Sequence, residues 1–221
     1  MCYARTDTYN WLYIMKIDDI QIMKEQFIEL LRTTRREGME NLITELEGLG
    51  FFEAPASNRS HLCKRGGLLE HSLNVYTTAV DIREMIIRRN EYMEDLIPMD
   101  SVIIICLLHD ICRADIYKPV KKMVENEKGE MVETTAYEEV YDSFPVGHGE
   151  KSVIQLLRCG VDLTDDEILA IRWHMHTWDI PVQSPSMHGN FKEAKKLTPL
   201  LTLVQTADAI SSNIFESDCE D

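Results

Sequence analysis

The sequence predicts an all-α domain interrupted by one small β-hairpin. Three observations carry this. Apolar residues recur at intervals of three and four along most of the chain, helix-start and helix-stop residues bracket those stretches, and one polar segment has a strand–turn–strand pattern. With 221 residues and 44% hydrophobic content, the chain can bury one sizeable core. The expected organisation is a single helical domain over residues 17–215, a hairpin insertion at about 117–145, and an acidic, frayed tail at 216–221.

Residues 1–16 show no helical period and receive no role; Met15, followed by a cleaner amphipathic pattern, is an alternative start of translation. Behind Asp18 and Asp19, the positions Ile20, Met23, Phe27 and Leu30 or Leu31 mark a first amphipathic helix. Met39, Leu42, Leu46 and Leu49 mark a second, ended by Gly48 and Gly50, and 52–67 reads as a loop carrying Arg59, Lys64 and Arg65. A third helix opens at Gly66-Gly-Leu-Leu-Glu-His71, with Leu69, Leu73, Tyr76 and Val80 along one face. A lone histidine there is more often a satisfied core residue than a ligand, so the meaning of His71 depends on its partners.

The run Ser101-Val-Ile-Ile-Ile-Cys-Leu-Leu-His-Asp110 is apolar on every side if helical, and so belongs at the centre. Its expected start is Pro98, with Asp100 or Ser101 as the capping residue. It ends in His109 and Asp110, two good metal ligands placed at the floor of a core. Adjacent helical residues point about 100° apart, so the pair can grip one ion only if other helices supply further ligands.

The polar segment 117–143 follows, with Asn126-Glu-Lys-Gly129 as a hairpin turn and Lys118, Lys121 and Lys122 near its base. Pro145-Val-Gly-His148 leads into a short helix, Lys151 to Arg158, that Gly160 stops. Thr164-Asp-Asp-Glu167 is a capping box opening the next helix. On it Ile171 and His174 lie one turn apart, whereas His174 and His176 face different ways while the helix lasts, so at most one should be a ligand. Thr198-Pro199 starts the last helix, expected to run to about Phe215 with Leu201, Val204, Asp208, Ser211 and Phe215 facing inward. A carboxylate in that stripe needs a cation, because burying it unpaired costs several kcal/mol or neutralises it.

Composition narrows the function. The balance of 23 basic against 38 acidic residues gives a net charge of −15, which disfavours non-specific binding to nucleic acid. An anionic substrate stays open where a metal and a local basic cluster invert the field. No apolar run approaches the roughly 20 residues of a membrane span, and no signal-peptide pattern is present, so a cytoplasmic location is expected. The six scattered cysteines read as free thiols.

His71, the His109–Asp110 pair and Asp208 form a mixed nitrogen and oxygen donor set of the kind that suits iron, manganese, nickel, cobalt or zinc. The order H…HD…D, carried by Gly67-Leu-Leu-Glu-His71, Leu107-Leu-His-Asp-Ile111 and Thr206-Ala-Asp208, resembles the HD-domain metal-dependent phosphohydrolase superfamily over roughly 66–212. The resemblance implies an HD-type helical bundle that hydrolyses phosphate esters, commonly of nucleotides. Members holding two metals add two histidines before the last aspartate, and Gly147-His148 and Arg172-Trp-His174 match those places. The resemblance thus implies two divalent transition-metal ions held by His71, His109, Asp110, His148, His174 and Asp208, with Asp110 bridging them.

The Gly-Gly-Leu-Leu-Glu-His opening and the later Gly-His look most like the HD domain of 3′-to-5′ exoribonucleases. The last histidine region is also similar to dinucleoside-polyphosphate hydrolases and, more loosely, to cyclic-dinucleotide phosphodiesterases. Many relatives continue HD-I-G-K; here the sequence is Ile111-Cys112-Arg113, which makes Arg113 the phosphate-binding cation and, with Asp110, a catalytic residue. Lys118, Arg65 and His176 complete the expected substrate contacts. His174-Met175 in place of paired histidines, and no Gly-Tyr-Pro signature, argue against a cyclic dinucleotide.

The expected function is therefore hydrolysis of a phosphomonoester or phosphodiester of a nucleotide by metal-activated water. The alternatives are a single-metal nucleotidase in which His148 and His174 touch substrate, or a non-catalytic metal-bound nucleotide sensor using the hairpin as its partner surface. A small nucleotide-type phosphate is the expected partner, with no long nucleic acid and no membrane, and a homodimer is left open.

Overall fold

The computed structural model describes residues 20–125, 128–140 and 144–216; the segment 1–16 and the tail beyond Glu216 lie outside them. The chain begins with α1 (Ile20–Thr33) and α2 (Met39–Leu49), whose inward stripes bury Phe27, Leu31, Leu42 and Leu46. Gly50 ends α2 in the left-handed region at φ 75°, where a glycine carries no Cβ penalty. Helix α3 (Gly67–Arg89) is the longest, and a single turn, α4 (Met93–Leu96), joins it to α5 (Met99–Leu108).

Every residue of α5 from Ser101 to Leu108 is buried, as an all-apolar helix requires. It packs against α3, α7 (Asp165–Trp173) and α9 (Pro199–Ile210), which therefore surround the end where His109 and Asp110 lie. Helix α5 is not capped as the sequence suggested. Pro98 occupies the N-cap position with no side-chain cap, because Ser101 is drawn inward and donates its hydroxyl to Glu167 Oε1 at 2.6 Å.

Glu167 is fully buried and closes the Thr164 capping box of α7. It also accepts from Arg36 Nη2 at 2.7 Å. One carboxylate thus ties the start of α7 to α5 and to the turn before α2, which sets the axis along which His174 is delivered.

The hairpin is β1 (Tyr117–Glu125) antiparallel to β2 (Met131–Glu139), with Tyr117 opposite Glu139 and Glu125 opposite Met131. Its faces are mostly exposed, as fits an excursion from the bundle. Helix α6 (His148–Arg158) follows and lies against α7.

Two elements depart from expectation. Helix α8 (Pro185–Leu197) was not foreseen, since its inward stripe is little more than Met187, Phe191 and Ala194 on an otherwise polar segment. The final helix closes at Ile210 and gives way to a π-turn, Ser211–Phe215, which rotates Phe215 outward to 61% exposure. No helix among the described residues is long and apolar enough to cross a membrane.

Candidate metal centre

Helix α5 stops at the His109–Asp110 pair. His109 still has helical backbone, but Asp110 (φ −106°, ψ 18°) steps out into a 3-10 turn over Ile111–Asp115. That turn brings Arg113 back over Asp110, with Nε 2.5 Å from Oδ2, while Arg113 Nη1 donates to Ala56 O and to Tyr117 Oη, both at 3.0 Å. Asp110 is otherwise ringed by imidazoles. Its Oδ1 meets His148 Nε2 at 2.5 Å and His174 Nε2 at 3.1 Å; its Oδ2 lies 3.8 Å from His109 Nε2 and 3.9 Å from His71 Nε2. Asp208, on α9, reaches His71 Nε2 at 3.4 Å. It is partly exposed and not sealed in an apolar stripe, because it borders an open cavity.

The far side of each ring decides what Nε2 can be. His109 Nδ1 donates to Cys106 O at 3.0 Å, and His174 Nδ1 donates to Ile171 O at 2.7 Å. His71 Nδ1 faces the Glu216 carboxylate at 2.9 Å. In each neutral ring the proton is thereby placed on Nδ1, and Nε2 presents a bare lone pair. Burial pushes His109 down to about 4, so that ring is neutral. The Nε2 atoms of His71 and His109 are buried with no hydrogen-bond partner. Lone pairs converging on a buried carboxylate repel it unless a cation stands among them, and that donor chemistry fits a transition metal.

Three clusters that could hold a metal ion occur among the described residues: His71, His109 and Asp110; Asp110, His148 and His174; and His61, His71 and Glu216. The first two share Asp110. Comparison with known proteins bears on this arrangement, for a family model of the HD domain matches residues 68–213, nearly all of the chain that supplies it. The chain belongs to the HD-domain family. No curated protein and no solved structure matches it. The HD-domain family is one of metal-dependent hydrolases.

Two groups of this HD-domain protein's centre lie outside the matched stretch. Glu216, expected in a frayed tail, is 4% exposed. The π-turn carries it back under α3, where Oε2 accepts from His71 Nδ1 and Oε1 accepts from Asn74 Nδ2, each at 2.9 Å. Burial alone would lower His71; the Glu216 carboxylate, with Asp208 and Asp110, more than offsets it and raises the imidazole above its ordinary value. His61, from the loop before α3, lies tilted against His71 with ring centroids 5.1 Å apart. A helical pattern read to Phe215 gave no signal for Glu216, and a single loop histidine gave little for His61.

A ligating histidine held by a carboxylate is the more basic donor, and loss of such a partner typically costs 10- to 100-fold in metal affinity. Glu216→Ala is accordingly expected to weaken metal binding by about that factor, while Glu216→Gln, which keeps an acceptor for Nδ1, loses less. Competition with a fluorescent chelator would measure both; equal affinities in wild type and Glu216→Ala would show that Glu216 does not act on His71.

The HD-domain centre opens into a cavity of about 450 Å³ whose wall includes His71, Asp110, Arg113, His174, His176 and Asp208. His174 and His176 share it because α7 ends at Trp173, and His176 adopts φ 56°, so helical spacing no longer separates them. Neither Arg65 nor Lys118 lines this cavity. Arg65 pairs with Glu53 beside a second cavity bounded by Tyr117 and Tyr137, and Lys118 is on an exposed face of β1.

Proposed function

We propose that this protein is a cytoplasmic phosphohydrolase that cleaves a phosphomonoester or phosphodiester of a nucleotide, with two divalent transition-metal ions as cofactors. The observation that carries this is the division of Asp110, one oxygen toward His148 and His174 and the other toward His71 and His109. In this reading Asp110 is common to both ions, and Asp208 completes the His71 side. When bound, such ions supply Lewis-acid polarisation of a phosphoryl group and activate water at neutral pH.

The chain's own groups do the rest. Arg113 is held by Ala56 O and Tyr117 Oη at the cavity wall, where its fork can neutralise a phosphate. His176 faces the same space and contacts the substrate. We assign the phosphate to Arg113 ahead of Lys118 and Arg65, which lie elsewhere. The −15 charge supports a small substrate over long nucleic acid.

A single-metal reading has one observation in its favour. His148 Nε2 lies 2.5 Å from Asp110 Oδ1, a hydrogen-bonding distance that would keep His148 as a donor and not a ligand.

Elemental analysis of protein purified without chelator separates the two readings. With two ions, His148→Ala and His174→Ala each lose close to one metal equivalent, His71→Ala mainly empties the other site, and His176→Ala changes neither. One metal per chain, unchanged in His148→Ala and His174→Ala, would sink the two-metal mechanism. Turnover of bis-p-nitrophenyl phosphate and p-nitrophenyl phosphate tests hydrolysis itself, and metal-loaded protein that binds nucleotides without cleaving either ester would be a sensor.

A further inference from the structure

Trp178 is 88% exposed, the highest value for a large apolar side chain among the described residues. It stands on the rim of the same cavity that holds Asp110, Arg113 and Asp208. Its position is imposed by the backbone. The 3-10 turn His176–Asp179 begins with His176 in the left-handed region, an uncommon conformation for a side chain other than glycine. The His176 ring meets Phe191 of α8 edge-on with centroids 6.4 Å apart, leaving the indole outside that contact.

An independent observation concerns another residue of the same cavity. Gln205, 2% exposed on α9, spends Nε2 on Trp173 O at 2.8 Å. Its Oε1 is then a buried acceptor with no donor, on a side chain that lines this cavity. A buried orphan acceptor costs free energy and calls for a partner.

We propose that Trp178 and Gln205 form a nucleoside subsite of the metal centre: the base stacks on the Trp178 indole, and Gln205 Oε1 accepts from an amine or hydroxyl of the nucleoside. The inference rests on the phosphoester reading above and assigns two residues of this chain to the base and nucleoside that such an ester carries. A phosphate held by Arg113 leaves the rest of the ligand to reach outward, and an exposed indole at that exit offers a π-face to any base.

The test compares AMP with ribose 5-phosphate, which have the same phosphomonoester and differ in the base. Dissociation constants come from calorimetry on the Mn²⁺-loaded full chain, or from Michaelis constants where the ester turns over. Wild type is expected to favour AMP by about 10- to 100-fold. Trp178→Ala should erase that preference by weakening AMP alone, and Trp178→Phe should restore most of it. Equal affinities in wild type, a preference that survives Trp178→Ala, or equal weakening of both ligands would overturn the subsite. If the AMP preference depends on Trp178 and yet no phosphoester is hydrolysed, the subsite stands and the hydrolase reading falls.

Discussion

Asp110→Asn is expected to abolish phosphoester turnover, by about 1,000-fold or more, and to leave less than one metal per chain. The change preserves shape and removes a charge that faces four imidazoles at once. Losing the carboxylate common to both clusters removes ion binding and transition-state stabilisation together. It also strips the Arg113 guanidinium of the anion 2.5 Å away. Burial pushes the Asp110 carboxyl upward, but that guanidinium and the His148 hydrogen bond hold it well below the usual range. Breaking one side of such a buried pair costs about 3 kcal/mol, so the metal-free variant should also unfold at lower urea. A variant with full metal content and more than a tenth of wild-type turnover would remove Asp110 from the centre.

Gly149→Ala is expected to cost about 3 kcal/mol and to lower turnover about 100-fold. Alanine is ordinarily the better helix former by nearly 1 kcal/mol, so propensity alone predicts a gain. Packing reverses the sign. A Cβ at Gly149 would stand 2.1 Å from the carbonyl oxygen of Arg172, backbone of α7 that cannot swing aside. Helices α6 and α7 must separate to admit it, and they carry His148 and His174, whose Nε2 atoms meet on one oxygen of Asp110. Overpacking of this kind costs about 1–3 kcal/mol, and a displacement of about 1 Å at a reacting centre costs about 100-fold. Urea unfolding and kcat check the two effects, and an unchanged or raised midpoint would show that the helices adjust freely.

How much of this was legible in the residues follows from where each signal is stored. Periodicity and capping are local, so α1, α3, the hairpin and the capping box of α7 could be read directly, as could the apolar run that makes α5 central. His109 and Asp110 stood out because two polar residues end that run, and the order of His71, the pair and Asp208 pointed to the family that matches residues 68–213. Helix α8 escaped because it buries too thin a stripe to leave a period.

The remainder depended on how the chain folds back. Nothing local marks Ser101 as a partner of Glu167 in preference to a helix cap; that pairing exists because α5 and α7 lie side by side. The end of α7 at Trp173 puts His174 and His176 on one cavity against the helical rule, and Arg65 is carried away from that cavity by a loop whose path no periodicity encodes. Glu216 is 145 residues from His71 in sequence, and only the π-turn after α9 brings the two within 2.9 Å. Residue type and spacing therefore determined the strongly periodic elements and offered most of the histidines and carboxylates that could act as donors. The packing of α3, α5, α7 and α9 decided which lone pairs converge, because hydrogen bonds between distant segments fix ring orientation and leave no trace in local sequence.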